Sequence, residues 1–361
     1  MGFNLQPSEE QLALKDTLKD FATSVLRPAM RDNESAGRTS DEIVRQIYEI
    51  GVAAPVDEAY GGGGTFDALT YCIAAEELAW GDPGAAHHML GMGQAALVIE
   101  AAGTDEQKSE YLPRLAEAPA KTFVALGEKV ATGDLESLAT EVKGDRVEGL
   151  KYGVVEAADA LFGVVVGRND EGLAAAIVDD EAYEIVKPEW KLGLEAAPTY
   201  VVNFDGSGKP LAQGARLEQA LLWSKLGTGA IAVGCARASL EYASQYAIER
   251  EAFGKPIGAF QGISFKIADM AIEVDAARLA VWRAAWKLDR GDATLADVAE
   301  AVGQALQAAV LCGDDGVQIL GGHGYIKDHP VEKWFRDAVT LSVFDSPDLL
   351  GDLMVARSVF A

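Results

Sequence analysis

From Ile263 to Leu288, eight apolar residues (Ile263, Ile267, Met270, Val274, Ala277, Val281, Ala284 and Leu288) recur at 4-3-4-3-4-3-4 spacing, and Gly291 closes the run. Only a helix gathers that spacing into one seam, and a seam this long needs helical neighbours to cover it. The pattern therefore predicts one member of an antiparallel bundle. The preceding stretch, 226–248, is rich in glycine and alanine and lets neighbouring helices approach closely. The first third keeps the same period. Ser8-Glu9-Glu10-Gln11 has capping-box spacing, and Leu14, Leu18, Phe21 and Val25 follow, with Pro28 expected to stop that helix. Further helices are predicted over Asp41–Ile50, closed by Gly51, and near 65–80, 84–102 and 104–115, with Thr104 as a cap. "DEAYGGGGTFD" (57–67) reads as a glycine-rich loop.

Between about 120 and 205 the period changes. "KTFVALG", "EVKGDRVEGLKYGVV", "ALFGVVVGR", "LAAAIVDD" and "TYVVNF" are short, β-branched and separated by Gly/Asp turns. They predict a compact antiparallel β domain inserted between two helical ones, with "DGSGKPLAQG" (205–214) as a linker. The chain of 361 residues, 49% hydrophobic and 24% charged, is long enough for two or three domains. Its formal charge of −25 argues against nucleic acid or an anionic membrane as a partner. Any bound phosphate must be held locally, by a few basic side chains and by backbone N–H groups. Cys72, Cys235 and Cys312 are sparse and lie on apolar stretches, as expected of reduced core thiols in a cytoplasmic protein. No signal start and no apolar run long enough to span a bilayer is read. His87 and His88 are neighbours that diverge on a helix, so no metal site is expected.

Three segments carry chemistry. "REAFGKPIGAFQ" (250–261) brings Arg250 to a turn at Gly254, "QILGGHGY" (318–325) ends an apolar helix in a glycine loop, and "DHPVEKWFRDA" (328–338) mixes charge with aromatics. An arginine beside a glycine-rich turn can hold a pyrophosphate by charge-assisted hydrogen bonds. The same pattern also makes a purely structural turn, and the residues alone leave both open. A Rossmann site is excluded, because no strand-GxGxxG-helix order is present.

The series R-x-x-F-G-x-x-I-x-x-F-Q, Q-x-x-G-G-x-G-Y and P-V-E-K-x-x-R-D-A resembles the acyl-CoA dehydrogenase family. "EEQLALKDTLKDFA", "EAYGGGGT", "AAEELA" and "GTDEQKSEYLPRLA" match family segments in order, so the resemblance spans nearly the whole chain. It implies a mainly α fold with inserted β: an N-terminal all-helical domain (1–118), a middle β-barrel domain (119–209) and a C-terminal four-helix bundle (210–361). It implies FAD and an acyl-CoA thioester as ligands, a homo- or heterotetramer with a second acyl-CoA dehydrogenase subunit, and an electron-transferring flavoprotein as acceptor. The family reaction takes an α-proton to a carboxylate and a β-hydride to the flavin, in fatty acid or sterol side-chain β-oxidation.

The resemblance assigns Arg250, Phe253, Gln261, Gln318, Gly321 and Gly322 to the pyrophosphate and adenosine end of a neighbouring subunit's FAD, and all six match the family pattern. The ring side departs from it. "ALGEKVATGD" (125–134) stands where the family reads A-L-T-E-P-G-A-G-S-D, which makes Leu126, Gly127 and Gly133 the ring-side positions and turns hydroxyl-bearing sites into glycine. "KYGVV" (151–155) replaces K-x-W-I-T, so the flavin-packing aromatic becomes Gly153 and the threonine directed at N5 becomes Val155. The family's catalytic glutamate falls on Asp345, preceded by Phe344 and followed by Ser346-Pro347. An alternative base position falls on Ser224, a substrate-side residue with Lys225 beside it. This unequal pattern is similar to the partner-dependent subunit of heterotetrameric bacterial members. Two alternatives stand beside it: a homotetramer using Asp345 as base, and a flavin-free acyl-CoA-binding or assembly protein.

Overall fold

The computed structural model describes residues 6–116, 119–129, 135, 137–211, 215–344, 355–356 and 358–359. Helix α1 (Glu9–Phe21) starts on the expected capping box: Ser8 Oγ accepts the Gln11 N–H at 3.1 Å and Gln11 Oε1 accepts the Ser8 N–H at 2.9 Å. Pro28 does not stop it. A π-helical turn over Ala22–Leu26 absorbs the break, and Pro28 then sits in the first turn of α2 (Arg27–Ala36), where a missing N–H costs no ladder bond. The helix ends instead at Gly37, in the left-handed region with φ 67°. Helices α3 (Asp41–Ile50), α4 (Ala68–Gly81), α5 (Pro83–Ala102) and α6 (Asp105–Ala116) lie where their spacing predicts. Both α4 and α5 are buried on nearly every face, making them the centre of the helical layer.

The middle segment forms strands β1 (Thr122–Ala125), β2 (Glu141–Lys143), β3 (Arg146–Val155), β4 (Phe162–Asn169), β5 (Gly172–Val178), β6 (Tyr183–Pro188), β7 (Thr199–Ser207) and β8 (Lys209–Pro210). They make one curled sheet in the order β6-β7-β3-β2-β4-β5-β8, with β1 beside β4. The sheet is mixed, not purely antiparallel as expected: β1 and β2 both run parallel to β4 along one of its edges. The expected linker at 205–214 contributes the end of β7 and all of β8, which pairs with β5 through Ile177 and Ala176. Alternation along β4 sorts the two faces. Phe162, Val164 and Val166 pack toward Tyr111 and Leu112 of α6, while Val165 joins Phe123 and Phe204 on the other face.

Helices α7 (Ala215–Glu249), α8 (Gln261–Asp289), α9 (Leu295–Leu320) and α10 (Val331–Phe344) form the C-terminal bundle. The α8 seam from Met270 to Leu288 is buried as its spacing requires. Leu295–Tyr325 does have the length and apolarity of a bilayer-spanning segment, which the sequence reading missed. Here its Val298, Val302, Ala305, Ala309 and Cys312 face is buried within the bundle. The three cysteines are free and buried.

One buried ion network ties the three parts together. Lys333 Nζ lies 2.9 Å from Asp82 Oδ1 and 2.7 Å from Asp337 Oδ2, with all three side chains at 0–1% exposure. Asp82 also accepts the Gly84 N–H that opens α5, and Asp337 accepts the Leu194 N–H of the middle segment at 2.6 Å. Burial opposes the charge on Lys333, but the two carboxylates outweigh it and hold the ammonium above its ordinary range. Around this core, Arg336 bridges Glu34 and Glu332, and Arg27 lies between the Trp80 and Trp334 rings at 4.0 and 4.5 Å. The charged residues of "DHPVEKWFRDA" are therefore mainly a cross-domain lock. Replacing Lys333 by Met strands two buried carboxylates, and the expected loss is about 3–5 kcal/mol in urea unfolding. Unchanged stability in that variant would contradict the assignment.

Candidate functional site

The residues that the resemblance assigns to the dinucleotide's phosphate end sit at one end of the bundle. Helix α7 ends at Glu249, and a two-residue hairpin follows in which Lys255 and Pro256 pair with Ala252 and Glu251. Its turn residues Phe253 and Gly254 have φ 53° and 80°. Two successive positive-φ residues are what a tight two-residue hairpin requires. A phenylalanine there carries strain, and its ring is 96% exposed. Arg250 is exposed at the base of this hairpin, and its carbonyl accepts the Ile257 N–H. Helix α9 ends at Gly321, whose φ 59° and ψ −130° suit glycine alone. Arg250, Gly321 and Gly322 line one open pocket of about 470 Å³. Gln261 and Gln318 stand exposed at the start of α8 and near the end of α9.

Two residues of that pocket were not singled out from the sequence. Tyr246 and His323 line it as well, and the Tyr246 hydroxyl lies 2.9 Å from His323 Nδ1. The signal was present but silent: His323 is an unspecified position inside Q-x-x-G-G-x-G-Y.

The ring-side positions are built differently. A Cβ at Gly127 would stand 2.5 Å from the Tyr152 carbonyl oxygen, and the Tyr152 N–H donates to the Gly127 carbonyl. Glycine is needed there for two backbones to meet. Lys151, fully buried, donates to the Leu126 carbonyl at 3.0 Å and to Glu128 at 2.8 Å. Glu128 also accepts the Ala139 and Thr140 N–H groups. Burial pushes the Lys151 ammonium down to about 8, and Glu128 limits the fall. Gly153 takes φ 68° within the irregular stretch of β3, and its N–H donates to Glu189. A Cβ on Gly153 would stand 2.9 Å from the Phe344 ring. The Phe344 ring of α10 therefore lies directly against β3 at Gly153. Val155 packs on α5 at Gly91, where a Cβ would be 3.1 Å from Val155 Cγ1.

These contacts test the chain against FAD. The open pocket at Arg250 has the cation, the exposed backbone turn and the space for a pyrophosphate. Beside Gly153 the Phe344 ring comes so close that a side chain at 153 would meet it. Ser224 and Lys225 are buried in α7, in a different region from the Arg250 pocket. Asp345, Ser346, Pro347 and Gly133 lie outside the described residues.

Beside the ring-side cluster, a groove of about 590 Å³ runs between 189–192 and α10, lined by Trp190, Lys191, Leu192, Val343 and Phe344 among others. Behind Phe344 stands His87, whose ring meets it edge-on at 4.8 Å between centroids. His88 points elsewhere and bonds Glu156 at 2.7 Å.

Comparison with known proteins agrees with this architecture. Residues 8–119 match the acyl-CoA dehydrogenase N-terminal domain and residues 213–357 match the acyl-CoA dehydrogenase C-terminal domain. An acyl-CoA dehydrogenase of Bacillus subtilis (strain 168) is 32% identical over 97% of this chain and 98% of its own length. A probable acyl-CoA dehydrogenase of Mycobacterium leprae (strain TN) is 32% identical over 97% and 95%. The solved butyryl-CoA dehydrogenase of Megasphaera elsdenii superposes with a TM-score of 0.89 at 28% identity, covering 100% of both chains. A chain solved in work on the electron transferring flavoprotein of Acidaminococcus fermentans gives 0.88 at 29% identity, over 99% of each. With its helical, curled-sheet and helical parts matched along the whole length, the chain belongs to the acyl-CoA dehydrogenase family, FAD-dependent oxidoreductases acting on acyl-CoA.

Proposed function

We propose that this chain is a subunit of a flavin-dependent enzyme that converts an acyl-CoA thioester to its 2,3-enoyl form, and that it completes the FAD site of a second acyl-CoA dehydrogenase subunit. The observation that carries this reading is the contrast between the two ends: Arg250, Gly321 and Gly322 share an open, outward-facing pocket, while the Phe344 ring lies directly against Gly153. When bound, FAD supplies the hydride acceptor. This chain's part is to hold the dinucleotide's pyrophosphate and adenosine end. Arg250 neutralises phosphate charge locally on a chain whose formal charge is −25, and the turn at Gly321–Gly322 lets backbone N–H groups approach closely. Phe253, Gln261 and Gln318 complete that end.

A neighbouring subunit is also favoured by what α8 leaves uncovered. Phe265, Ile272 and Leu279 recur every seven residues and are 61%, 64% and 52% exposed. A stripe with that spacing suits a second helix packed along it. An electron-transferring flavoprotein as acceptor belongs to the same proposal.

Expression with and without a homologous partner chain tests the reading. Purified alone, the chain should lack visible flavin absorbance, and co-expression should give a yellow complex. Arg250→Ala in that complex should weaken FAD retention on the order of 10–100-fold, the value of a charged hydrogen bond, with an unchanged fold by circular dichroism. A yellow chain on its own, or full FAD retention by the variant, would refute it.

A further inference from the structure

Two tyrosine–histidine pairs stand side by side where α7 meets the loop after α9. The Tyr246 hydroxyl lies 2.9 Å from His323 Nδ1, and one helical turn earlier the Tyr242 hydroxyl lies 2.9 Å from His329 Nδ1. The two imidazoles meet at 5.4 Å between centroids. Their settings differ. His329 is half-buried, its carbonyl accepts from Arg31 at 2.9 Å and Tyr242 packs on Trp334, so that pair belongs to the bundle. His323 is exposed and lines the open pocket that Arg250, Gly321 and Gly322 also line.

That pocket is short of positive charge for a pyrophosphate. Among its described lining residues Arg250 is the one permanent cation, whereas the pyrophosphate of a dinucleotide carries two negative charges. Tyr246 decides what His323 can add. A phenol O–H is a stronger donor than an imidazole N–H, so Nδ1 accepts from Tyr246 and the neutral ring carries its hydrogen on Nε2. Nε2 is therefore a donor in either charge state, and it has no partner among the described residues. A protonated ring would make a charge-assisted bond, which is stronger than a neutral one. The ionisable groups in contact with His323 are Tyr246 from α7 and His329 from the following loop, with Arg250 across the pocket. None is a carboxylate, so the favourable partner for a proton there is an anion in the pocket.

We propose that His323, oriented by Tyr246, is a further ligand of the dinucleotide's pyrophosphate, and that its protonation makes FAD retention pH-dependent. The inference rests on the reading of the Arg250 pocket above and adds a residue and a regulating proton to it. By linkage, proton and pyrophosphate strengthen each other's binding, so FAD is held more tightly at low pH and loosens as pH rises through the histidine range. The pyrophosphate diester neither gains nor loses a proton over that range, so the dependence belongs to the protein.

The test is the equilibrium affinity of the co-expressed complex for FAD, at about pH 6 and about pH 8. Wild type should bind about tenfold more weakly at the higher pH. His323→Asn keeps an N–H donor that does not titrate, and should shrink the difference to less than about twofold. His329→Asn should leave the difference in place. Tyr246→Phe releases Nδ1 and lets the neutral ring move its hydrogen off Nε2, so it should weaken binding more at the higher pH, where the tautomer matters. The wild-type comparison needs no variant to fold. Equal wild-type affinity at both values, or a full difference in His323→Asn, overturns the proposal, and equal weakening by Tyr246→Phe at both overturns the orienting role. If Arg250→Ala still weakens binding in those cases, the reading of the pocket stands. FAD bound at neither pH, or bound fully by Arg250→Ala, overturns both.

Discussion

The buried Asp82–Lys333–Asp337 cluster joins the N-terminal helices, the middle segment and the C-terminal bundle at one point. Asp82 begins α5, Lys333 and Asp337 sit on α10, and Asp337 holds the backbone at Leu194. Three parts of the chain are thereby fixed at one point, and the price of misplacing any of them is an unpaired buried charge. Gly193 lies so close to the Arg336 carbonyl that no side chain fits between them. This fixing brings Phe344, at the end of α10, against Gly153 of β3 and His87 of α5.

The two ends of the candidate FAD site follow from that frame in different ways. The Arg250 pocket is made from a hairpin and a helix end that project from the bundle, so it stays open to a neighbouring molecule. The ring-side positions lie where β3, α5 and α10 converge, and close approach dominates there. Gly127 permits two backbones to touch, Gly153 makes room for Phe344, and Val155 seats against Gly91. The substitutions that look like losses in the sequence are mutually adapted in the fold. They bring β3, α5 and α10 into close approach at the positions that the family resemblance marks as ring-side.

Much of this was legible in the residues. The α8 seam, the caps at Ser8 and Thr104, and the stop at Gly51 are local signals that tertiary contacts do not override. Pro28 misled because a π turn can relieve a proline from upstream, and nothing local announces one. Strand β6 was not picked out: "YEIVKP" alternates charge with apolar residues on a largely exposed edge, so it resembles a loop. The mixed sheet was invisible because pairing direction depends on connections, not composition. Of the site, the Arg250 and glycine-loop residues could be nominated from their motifs. The contact of Phe344 with Gly153 could not, since it joins residues 191 positions apart in the chain.

The central claim is that one FAD is shared between two unlike chains, this one contributing only the phosphate-binding end. The flavin-to-polypeptide ratio of the purified complex measures that directly, by flavin absorbance after denaturation against quantitative amino-acid analysis. The account predicts one FAD for every two chains. One FAD per chain would mean that a ring is seated at every subunit, this one included, and would contradict it.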